Sequence, residues 1–248
     1  VLSFLDVLHE LYVEGQVALL KVNPVVDHLT PVVERILAPL IDGGFVRVVT
    51  GDAAVGAYLV AHPTVEEIHL TGGLATHDAI VFGTGEEGER RRAAHRPRIA
   101  KRVTSELGGV SPVIVLPGPW TAADLRAQAE KIVAMKMNNC GHNCMAAQVL
   151  VLPAGWPQGP RLLTEIERHL RLLPPRSAFY PGAARRQQRL VERHPDAIQI
   201  PSDDVPWTLI WGLDPEVEDE PAFTREVFGP VLVQTTLPAP DLPSYLRG

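Results

Sequence analysis

The alternation of short β-branched runs with helical segments in residues 1–116 constrains the fold more than any other feature of this chain. Three runs have the length and composition of buried strands, and segments with helical apolar spacing lie between them. The strand-like runs are Val17–Lys21, Phe45–Thr50 and Glu67–Leu70, and the helical segments between them are Val25–Ile41 and Val55–His62. Strands that alternate with helices pair in parallel, so the pattern predicts an α/β fold with a parallel sheet wound with helices.

The second half of the chain continues this organisation after one interruption. Gly83–Lys101 is rich in Gly, Glu and Arg, and we interpret it as a surface insertion. Thr121 is placed to cap a helix that runs from Ala122 to about Met137. Further strands are predicted at Val113–Leu116 and Val149–Leu152, and further helices at Arg161–Leu172 and Ala183–His194.

Length and charge exclude several classes of protein. A chain of 248 residues with 46% apolar residues has room for two compact lobes. The net charge of −6 argues against a general nucleic-acid binder. No apolar run approaches the roughly 20 residues that cross a bilayer, so we expect no membrane partner.

The spacing of the cysteines and the first residues of the chain indicate the cellular compartment of the protein. The two cysteines stand four positions apart, a spacing that suits neither a zinc ribbon nor a disulfide scaffold, and the nine histidines show no zinc spacing. We therefore expect no metal and a reducing cytoplasm. The N-terminus lacks the features of a signal peptide. Because residue 1 is Val rather than Met, we expect the chain to begin inside a longer protein.

Cys144 is the candidate nucleophile. It follows the polar turn Asn139-Cys140-Gly141-His142-Asn143, which brings it near backbone N–H groups. Such donors favour a thiolate and stabilise an oxyanion on a substrate carbonyl. A single cysteine is more often a buried and inert side chain, and both roles stay open on this evidence. His142 is the one histidine near this chemistry, with an orienting role as plausible as a catalytic one.

Two carboxylates stand in glycine-containing motifs. Glu106 precedes Leu107-Gly108-Gly109, where paired glycines allow close backbone packing at a strand edge, and Glu226 opens Glu-Val-Phe-Gly-Pro. Taken alone, Glu106 reads as a surface residue and Glu226 as a salt-bridge partner. A thiol, a carboxylate base and a second carboxylate are nevertheless the parts needed for covalent oxidation of an aldehyde.

Two other features of the sequence suggest where a cofactor could bind. Lys21 ends an apolar strand, where ligands collect in wound sheets, although a solvated lysine is the simpler interpretation. Gly83–Gly88 formally matches a dinucleotide-binding fingerprint. We reject that match in favour of a flexible hairpin or loop, because Glu86 and Glu87 would repel a pyrophosphate.

Taken together, these segments resemble the aldehyde dehydrogenase superfamily. Glu106-Leu-Gly-Gly-x-Ser-Pro resembles its general-base motif, Gly141-x-x-Cys144 its nucleophile and Glu226-x-Phe-Gly-Pro its nicotinamide-ribose clamp. The strand and loop motifs of its cofactor domain match in the same order. The cofactor-binding residues that the resemblance implies are Lys21, Gly51, Gly56, Thr71, Gly72, Gly73, Leu107, Glu226 and Phe228.

The resemblance implies a fold, a domain division and a mechanism. Residues 1–107 would be the last part of a Rossmann-like NAD(P)-binding domain, and residues 108–248 a C-terminally incomplete catalytic domain. Cys144 would attack the aldehyde, NAD or NADP would accept the hydride, and Glu106 would activate the water that hydrolyses the thioester. The resemblance also implies a homo-oligomeric full-length form.

The sequence departs from the family pattern at several positions. Pro24 stands where the family reads the ribose 2′ position, so NAD and NADP remain open. His77 stands in place of the second glycine of the nucleotide loop, Gly73 in place of a serine, and His142 in place of a common glutamine. The asparagine of the oxyanion hole lies upstream of the segment that matches Val1. We therefore expect an internal piece or a truncated member, poorly active alone.

Two alternative functions remain. A CoA-acylating dehydrogenase would pass the acyl group to CoA, against which Glu106 argues as an intact hydrolytic base. A scaffold that has lost dehydrogenation is suggested by Pro24 and His77, and opposed by the retention of all three motif residues. The identity of the aldehyde is not encoded in these motifs. Trp156, Trp207 and Trp211 could line a substrate tunnel, with a place in the core the simpler role.

Overall fold

The computed structural model describes residues 2–238 and 241–247. The chain divides between Leu107 and Gly108 into two compact units, which we call unit 1 and unit 2. None of the helices in these described ranges is both long enough and apolar enough to cross a membrane.

Unit 1 contains four strands, paired two by two. Its elements are α1 (Leu2–Tyr12), β1 (Ala18–Lys21), a 3-10 helix (Pro24–Leu29), α2 (Thr30–Asp42), β2 (Val46–Val49), α3 (Ala53–Ala61), β3 (Glu67–Gly72), α4 (Leu74–Val81), α5 (Gly85–Ala93) and β4 (Arg102–Leu107). Strand β1 pairs with β2 and β3 with β4, both in parallel, as the helix–strand alternation predicts. Val7, Leu37 and Val46 form a small core between α1, α2 and β2.

Unit 2 is built on a five-stranded sheet in the order β5-β6-β9-β8-β7. Its elements are β5 (Ser111–Ile114), α6 (Ala122–Met137), a 3-10 turn (Asn138–Gly141), β6 (Ala147–Pro153), α7 (Gly159–Leu172), α8 (Ala183–Arg193), β7 (Ile198–Ile200), β8 (Trp207–Leu213), α9 (Pro221–Thr224), β9 (Val231–Leu237) and α10 (Leu242–Tyr245). Only the β7–β8 pairing within this sheet is antiparallel.

Both faces of the unit 2 sheet are covered. Alternate residues of β6 enter two different cores: Leu150 and Leu152 pack with α6 and α7, and Val149 and Val151 pack on the opposite side. A strand buried on both faces reads as a continuous apolar run, which is why residues 149–152 are recognisable from sequence. Trp207, only 1% exposed, belongs to the core beside α6 and α7, and the partly buried Trp156 and Trp211 pack against this core.

The prediction of a flexible loop at Gly83–Gly88 was wrong, because Gly85–Ala93 forms helix α5. Acidic residues occupy its first turn and arginines its last, an arrangement that complements the helix dipole. Glu87 also pairs with Arg90 and Arg91 one turn later. The segment follows helix α4 rather than a strand, so the dinucleotide fingerprint lacks its required context.

The single helix predicted at Val25–Ile41 is interrupted. A 3-10 helix covers Pro24–Leu29, and its backbone departs from helical geometry at Val26 (φ −124°). The α-helix begins at Thr30, with Pro31 in its first turn, where a missing N–H costs nothing. Helix α6, in contrast, forms as predicted, with Thr121 and Asp124 making a capping box.

Candidate active site

In unit 1 the first group of candidate cofactor residues lies where β1 and β2 end. Lys21 is the last residue of β1 and stands beside Val49 in the parallel register. Gly51 follows β2 with φ +132°, and a Cβ there would meet Val55 at 2.6 Å, so the turn requires glycine. Asp52 then caps helix α3 by accepting hydrogen bonds from the N–H groups of Ala54 and Val55.

The second group in unit 1 lies at the ends of β3 and β4. Glu106 stands opposite Thr71, and Leu107 opposite Gly72, in the parallel register. The hydroxyl of Thr71 donates to Asp6 at 2.7 Å, so it is already used within the protein. The side chain of Glu106 is exposed.

Helix α4 begins directly after this edge. Its N-cap is Gly73, which offers no side-chain acceptor to the first N–H groups of the helix. An N-terminus of this kind favours an anion such as a phosphate. His77 lies one turn into α4, half-buried, with Nδ1 3.2 Å from a carboxylate oxygen of Asp78.

In unit 2 the turn before Cys144 has an unusual backbone. Asn139 (φ 53°), Cys140 (φ 56°) and Gly141 (φ 74°) are three successive residues in the left-handed region, two of which are not glycine. Each such non-glycine residue costs about 1–2 kcal/mol. The turn is closed by hydrogen bonds between Asn139 and His142. The side-chain amide of Asn139 donates to the carbonyl oxygen of His142. The carbonyl oxygen of Asn139 is in turn contacted by the backbone N–H and by Nδ1 of His142.

The two thiols beside this turn differ in accessibility. Cys140 is buried, and burial raises the pKa of its thiol, which makes it the less reactive cysteine. Cys144 is partly exposed, with Sγ 3.8 Å from the amide oxygen of Asn143. Cys144, the sequence candidate, is therefore the more accessible of the two thiols.

The cysteine turn packs against the loop that carries Glu226. A Cβ on Gly141 would overlap the carbonyl oxygen of Gly229, so the two backbones touch here and only glycine fits. The imidazole of His142 packs against the ring of Phe228, with ring centroids 5.4 Å apart, and against Phe179 and Tyr180. His142 therefore joins the cysteine turn to the Glu226 loop.

Two polar side chains, one buried and one partly buried, hold the Glu226 loop in place. Gln148 on β6 donates to the carbonyl oxygens of Ala222 and Arg225 and accepts from the N–H of Val227, each at 2.8 Å. Arg186 on α8 donates to the carbonyl oxygens of Val227 and Phe228, at 2.6 and 2.9 Å. The backbone on both sides of Glu226 is fixed by these bonds.

The carboxylate of Glu226 lies directly over Gly108. A Cβ on Gly108 would overlap both carboxylate oxygens of Glu226, so this close approach depends on the first glycine of the Gly108-Gly109 pair. The structure therefore joins parts of two sequence motifs that stand more than a hundred residues apart.

A buried lysine completes the site in unit 2. Lys136, near the end of α6, is 1% exposed. Its Cε lies 3.3 Å from the position that a Cβ of Gly141 would occupy. Burial lowers the pKa of its amine to about 7, and the nearby Glu226 carboxylate partly opposes that shift.

Sequence reasoning missed Gln148, Arg186 and Lys136. Two of these three residues could have been recognised as polar side chains at otherwise apolar positions. Gln148 is a polar residue inside a strand whose seven residues are all buried. Lys136 continues the apolar stripe of α6 formed by Leu125, Ala129, Ile132 and Val133. A polar residue at a core position calls for a functional explanation. Arg186 has no comparable signal, because α8 holds several other arginines.

Comparison with known proteins identifies the family. Residues 15–167, more than half of the chain, match the model of the aldehyde dehydrogenase family. The chain belongs to the aldehyde dehydrogenase family. It is 31% identical over 143 residues to a coniferyl aldehyde dehydrogenase of Pseudomonas sp. (strain HR199 / DSM 7063). That match covers 58% of this chain and 26% of the relative, so the chain spans about a quarter of that protein.

Solved structures show the same fold. The substrate-bound AldH of Staphylococcus aureus is 18% identical, with a TM-score of 0.64, over 91% of this chain and 48% of that one. An NAD-dependent aldehyde dehydrogenase from Sinorhizobium meliloti is 22% identical, with a TM-score of 0.67, over 89% of this chain and 44% of that one. The α/β architecture predicted from the sequence is therefore confirmed.

Proposed function

We propose that this protein oxidises an aldehyde to a carboxylic acid with NAD or NADP, through a covalent intermediate on Cys144. Membership of the aldehyde dehydrogenase family supports aldehyde oxidation in general. The observation that supports the specific mechanism is the packing of the strained cysteine turn against the Glu226 loop, through Gly141 and Gly229. Strained backbone held by its surroundings is typical of active sites.

The residues present fit a dinucleotide cofactor. The uncapped start of α4 favours a phosphate, and Lys21 and Gly51 end adjacent parallel strands, where ligands collect. The cofactor contacts that we propose are Lys21, Gly51, Gly56, Thr71, Gly72, Gly73, Leu107, Glu226 and Phe228. A bound nicotinamide supplies the hydride acceptor.

The residues of the chain carry the remaining steps. The Cys144 thiolate attacks the aldehyde carbonyl to form a thiohemiacetal, and loss of hydride leaves a thioester on its sulfur. Glu106 takes a proton from the water that attacks this thioester, and the acid leaves as the thiolate is restored. Glu226 would accept hydrogen bonds from the hydroxyls of the nicotinamide ribose when the cofactor is bound.

The test is a rapid-mixing absorbance trace for reduced cofactor, made on the longest natural form of the protein. Aldehydes of several classes are mixed with the enzyme, with NAD and NADP in separate runs. We expect a burst of reduced cofactor that falls by at least about 10⁴-fold in Cys144→Ala, the scale seen when a catalytic nucleophile is removed. Cys140→Ala is the matched control and should keep the burst.

The products separate the remaining alternatives. Free acid supports hydrolysis with Glu106 as base, whereas acyl-CoA formed in the presence of CoA would favour the acylating reaction. A flat trace from folded protein with both cofactors would contradict the proposal and favour a scaffold that has lost dehydrogenation.

A further inference from the structure

His142 places a polar ring in an apolar part of unit 2. The residue is only 4% exposed. The centroid of its ring lies 4.9 Å from that of Phe179, 5.8 Å from that of Tyr180 and 5.4 Å from that of Phe228. Buried polar atoms are usually hydrogen-bonded, so both ring nitrogens need an account. The reaction steps proposed above do not use this side chain.

The surroundings of the imidazole select one tautomer. Nδ1 lies 3.1 Å from the carbonyl oxygen of Asn139, and because a carbonyl oxygen can only accept, Nδ1 carries a proton and donates it. Nε2 is buried, and no residue within 2–238 and 241–247 makes a hydrogen bond to it. A second proton on Nε2 would therefore create a buried charge whose N–H has no acceptor, which is costly. The geometry favours the neutral ring with its proton on Nδ1.

The charged groups around the ring also disfavour a second proton. Burial is the main cause that lowers the pKa of His142 below its usual 6.5, and the hydrogen bond within the cysteine turn only partly opposes it. The cations of Arg186 on α8 and Lys136 on α6 lower this pKa further, while the carboxylate of Asp204, before β8, raises it. A further titratable group, the phenol of Tyr180, stacks on the imidazole. The imidazole is therefore neutral at pH 7.

His142 holds the residue at which the left-handed backbone begins. The carbonyl oxygen of Asn139 accepts from both Nδ1 and the backbone N–H of His142, and its side-chain amide donates to the carbonyl oxygen of His142. Strained backbone persists only where its surroundings hold it, and these bonds are such a hold. Cys144 follows two positions after His142, so the conformation of the turn determines where its thiol lies.

We propose that His142 is a positioning residue for Cys144, whose neutral ring holds the Asn139 carbonyl through Nδ1–H and packs the cysteine turn against the Glu226 loop. The part that concerns catalysis rests on the proposed function, and the hold on the turn does not. Because a second proton would place a charge among aromatic rings, acid should release the turn. The lowered pKa of His142 places that release below pH 6.5.

The first measurement needs no cofactor. The longest natural form of the protein is labelled with ¹⁵N-histidine and titrated by NMR between pH 5 and 8, and the His142 resonances are assigned by their loss in His142→Asn. We expect the neutral Nδ1–H tautomer at pH 7 and a protonation midpoint below 6.5. The Nε2–H tautomer, or a midpoint at or above 6.5, would overturn the inference.

Two variants separate the hydrogen bond from the packing of the ring. His142→Asn places an amide nitrogen near the position of Nδ1 and keeps a donor to Asn139, whereas His142→Phe keeps an aromatic ring and loses the donor. We expect His142→Phe to lower the burst rate by about 10–100-fold, on the scale of the loss caused by a small misplacement, with the cofactor Kd unchanged. His142→Asn should recover most of this loss. If packing alone mattered, His142→Phe would be the more active variant.

The pH dependence gives a readout that packing alone does not. Groups other than His142 titrate alike in the wild type and in His142→Asn, so the ratio of their burst rates isolates this ring. That ratio should fall as pH drops below 6.5, and a constant ratio would contradict the inference. Stability should follow the same sign. The folded pKa lies below the unfolded one, so the contribution of His142 is complete above pH 6.5 and is lost as pH falls through the folded pKa.

The two proposals fail in different ways. If the wild type gives no burst with either cofactor, the proposed function is rejected, and amide exchange in the peptide 138–146 decides the hold on the turn. We expect this peptide to exchange at least about tenfold faster in His142→Phe than in His142→Asn. Equal exchange in the two variants would reject the role of His142 whatever the burst shows. Should His142→Phe fail to fold, the wild-type NMR titration still decides the inference.

Discussion

Unit 1 and unit 2 hold their candidate functional residues by different means. In unit 2, Leu150, Val231 and Leu232 are fully buried, and the sheet is covered on both faces. In unit 1, Leu19 is 45% and Phe45 52% exposed, and the strands pair only two by two. The candidate nucleophile Cys144 and the Glu226 loop therefore lie in the unit with the larger core, and Glu106 and the candidate cofactor residues of unit 1 lie on a more lightly packed frame.

The largest expected difference between the units is in local stability. We expect the amides of β6 and β9 to exchange at least about 100-fold more slowly than those of β1 and β2, because opening free energies follow buried apolar packing. Hydrogen exchange measured by mass spectrometry, on peptides from each pair of strands, checks this. Equal protection in both pairs would contradict the comparison. Added cofactor should slow exchange in β1 and β2 more than in β6 and β9.

A second expected effect concerns the cysteine turn. Gly141→Ala combines a left-handed backbone with an overlap on the Gly229 carbonyl, and we expect a loss of about 2–4 kcal/mol in the free energy of unfolding of unit 2. Gly44→Ala in unit 1 is the matched control, since Gly44 has a similar φ of 82° and open space around it. It should cost about 1 kcal/mol.

Urea denaturation, followed by tryptophan fluorescence for unit 2 and by far-UV circular dichroism for the whole chain, measures both variants. If the two substitutions cost the same, the close approach of the cysteine turn to the Glu226 loop is not what requires glycine at position 141. The inference that the cysteine turn packs tightly against the Glu226 loop through Gly141 would then be wrong.

The fold could be predicted from the sequence, because it follows from local patterns. Periodicity predicts β1, β2 and α6 within one or two residues, and the capping box at Thr121 marks the start of α6. Helix α5 was missed because two glycines outweighed the charge pattern of Glu86–Arg92, which stabilises the helix through pairs one turn apart.

The site itself was less predictable, because its geometry depends on contacts between distant segments. Gln148 and Val227 lie 79 positions apart, and no local rule pairs them. The left-handed backbone of Cys140 is likewise set by the packing of the turn rather than by residue type, since cysteine rarely adopts this conformation. Lys136 was also missed, although its place on the apolar stripe of α6 can be read from the sequence.

The smallest expected effect tests whether unit 1 tolerates change at a candidate cofactor position. Gly56 lies in helix α3 with ordinary backbone geometry and nothing within 4 Å of a Cβ. Gly56→Ala should therefore stabilise the helix by about 0.5–1 kcal/mol, the usual gain for glycine to alanine inside a helix. Thermal unfolding checks the gain, and the cofactor Kd of the same variant checks its consequence. If stability rises while the Kd also rises, the glycine serves ligand approach rather than folding. A loss of stability would instead show that α3 is packed more tightly than the open space around Gly56 indicates. The difference in packing between unit 1 and unit 2 would then be smaller.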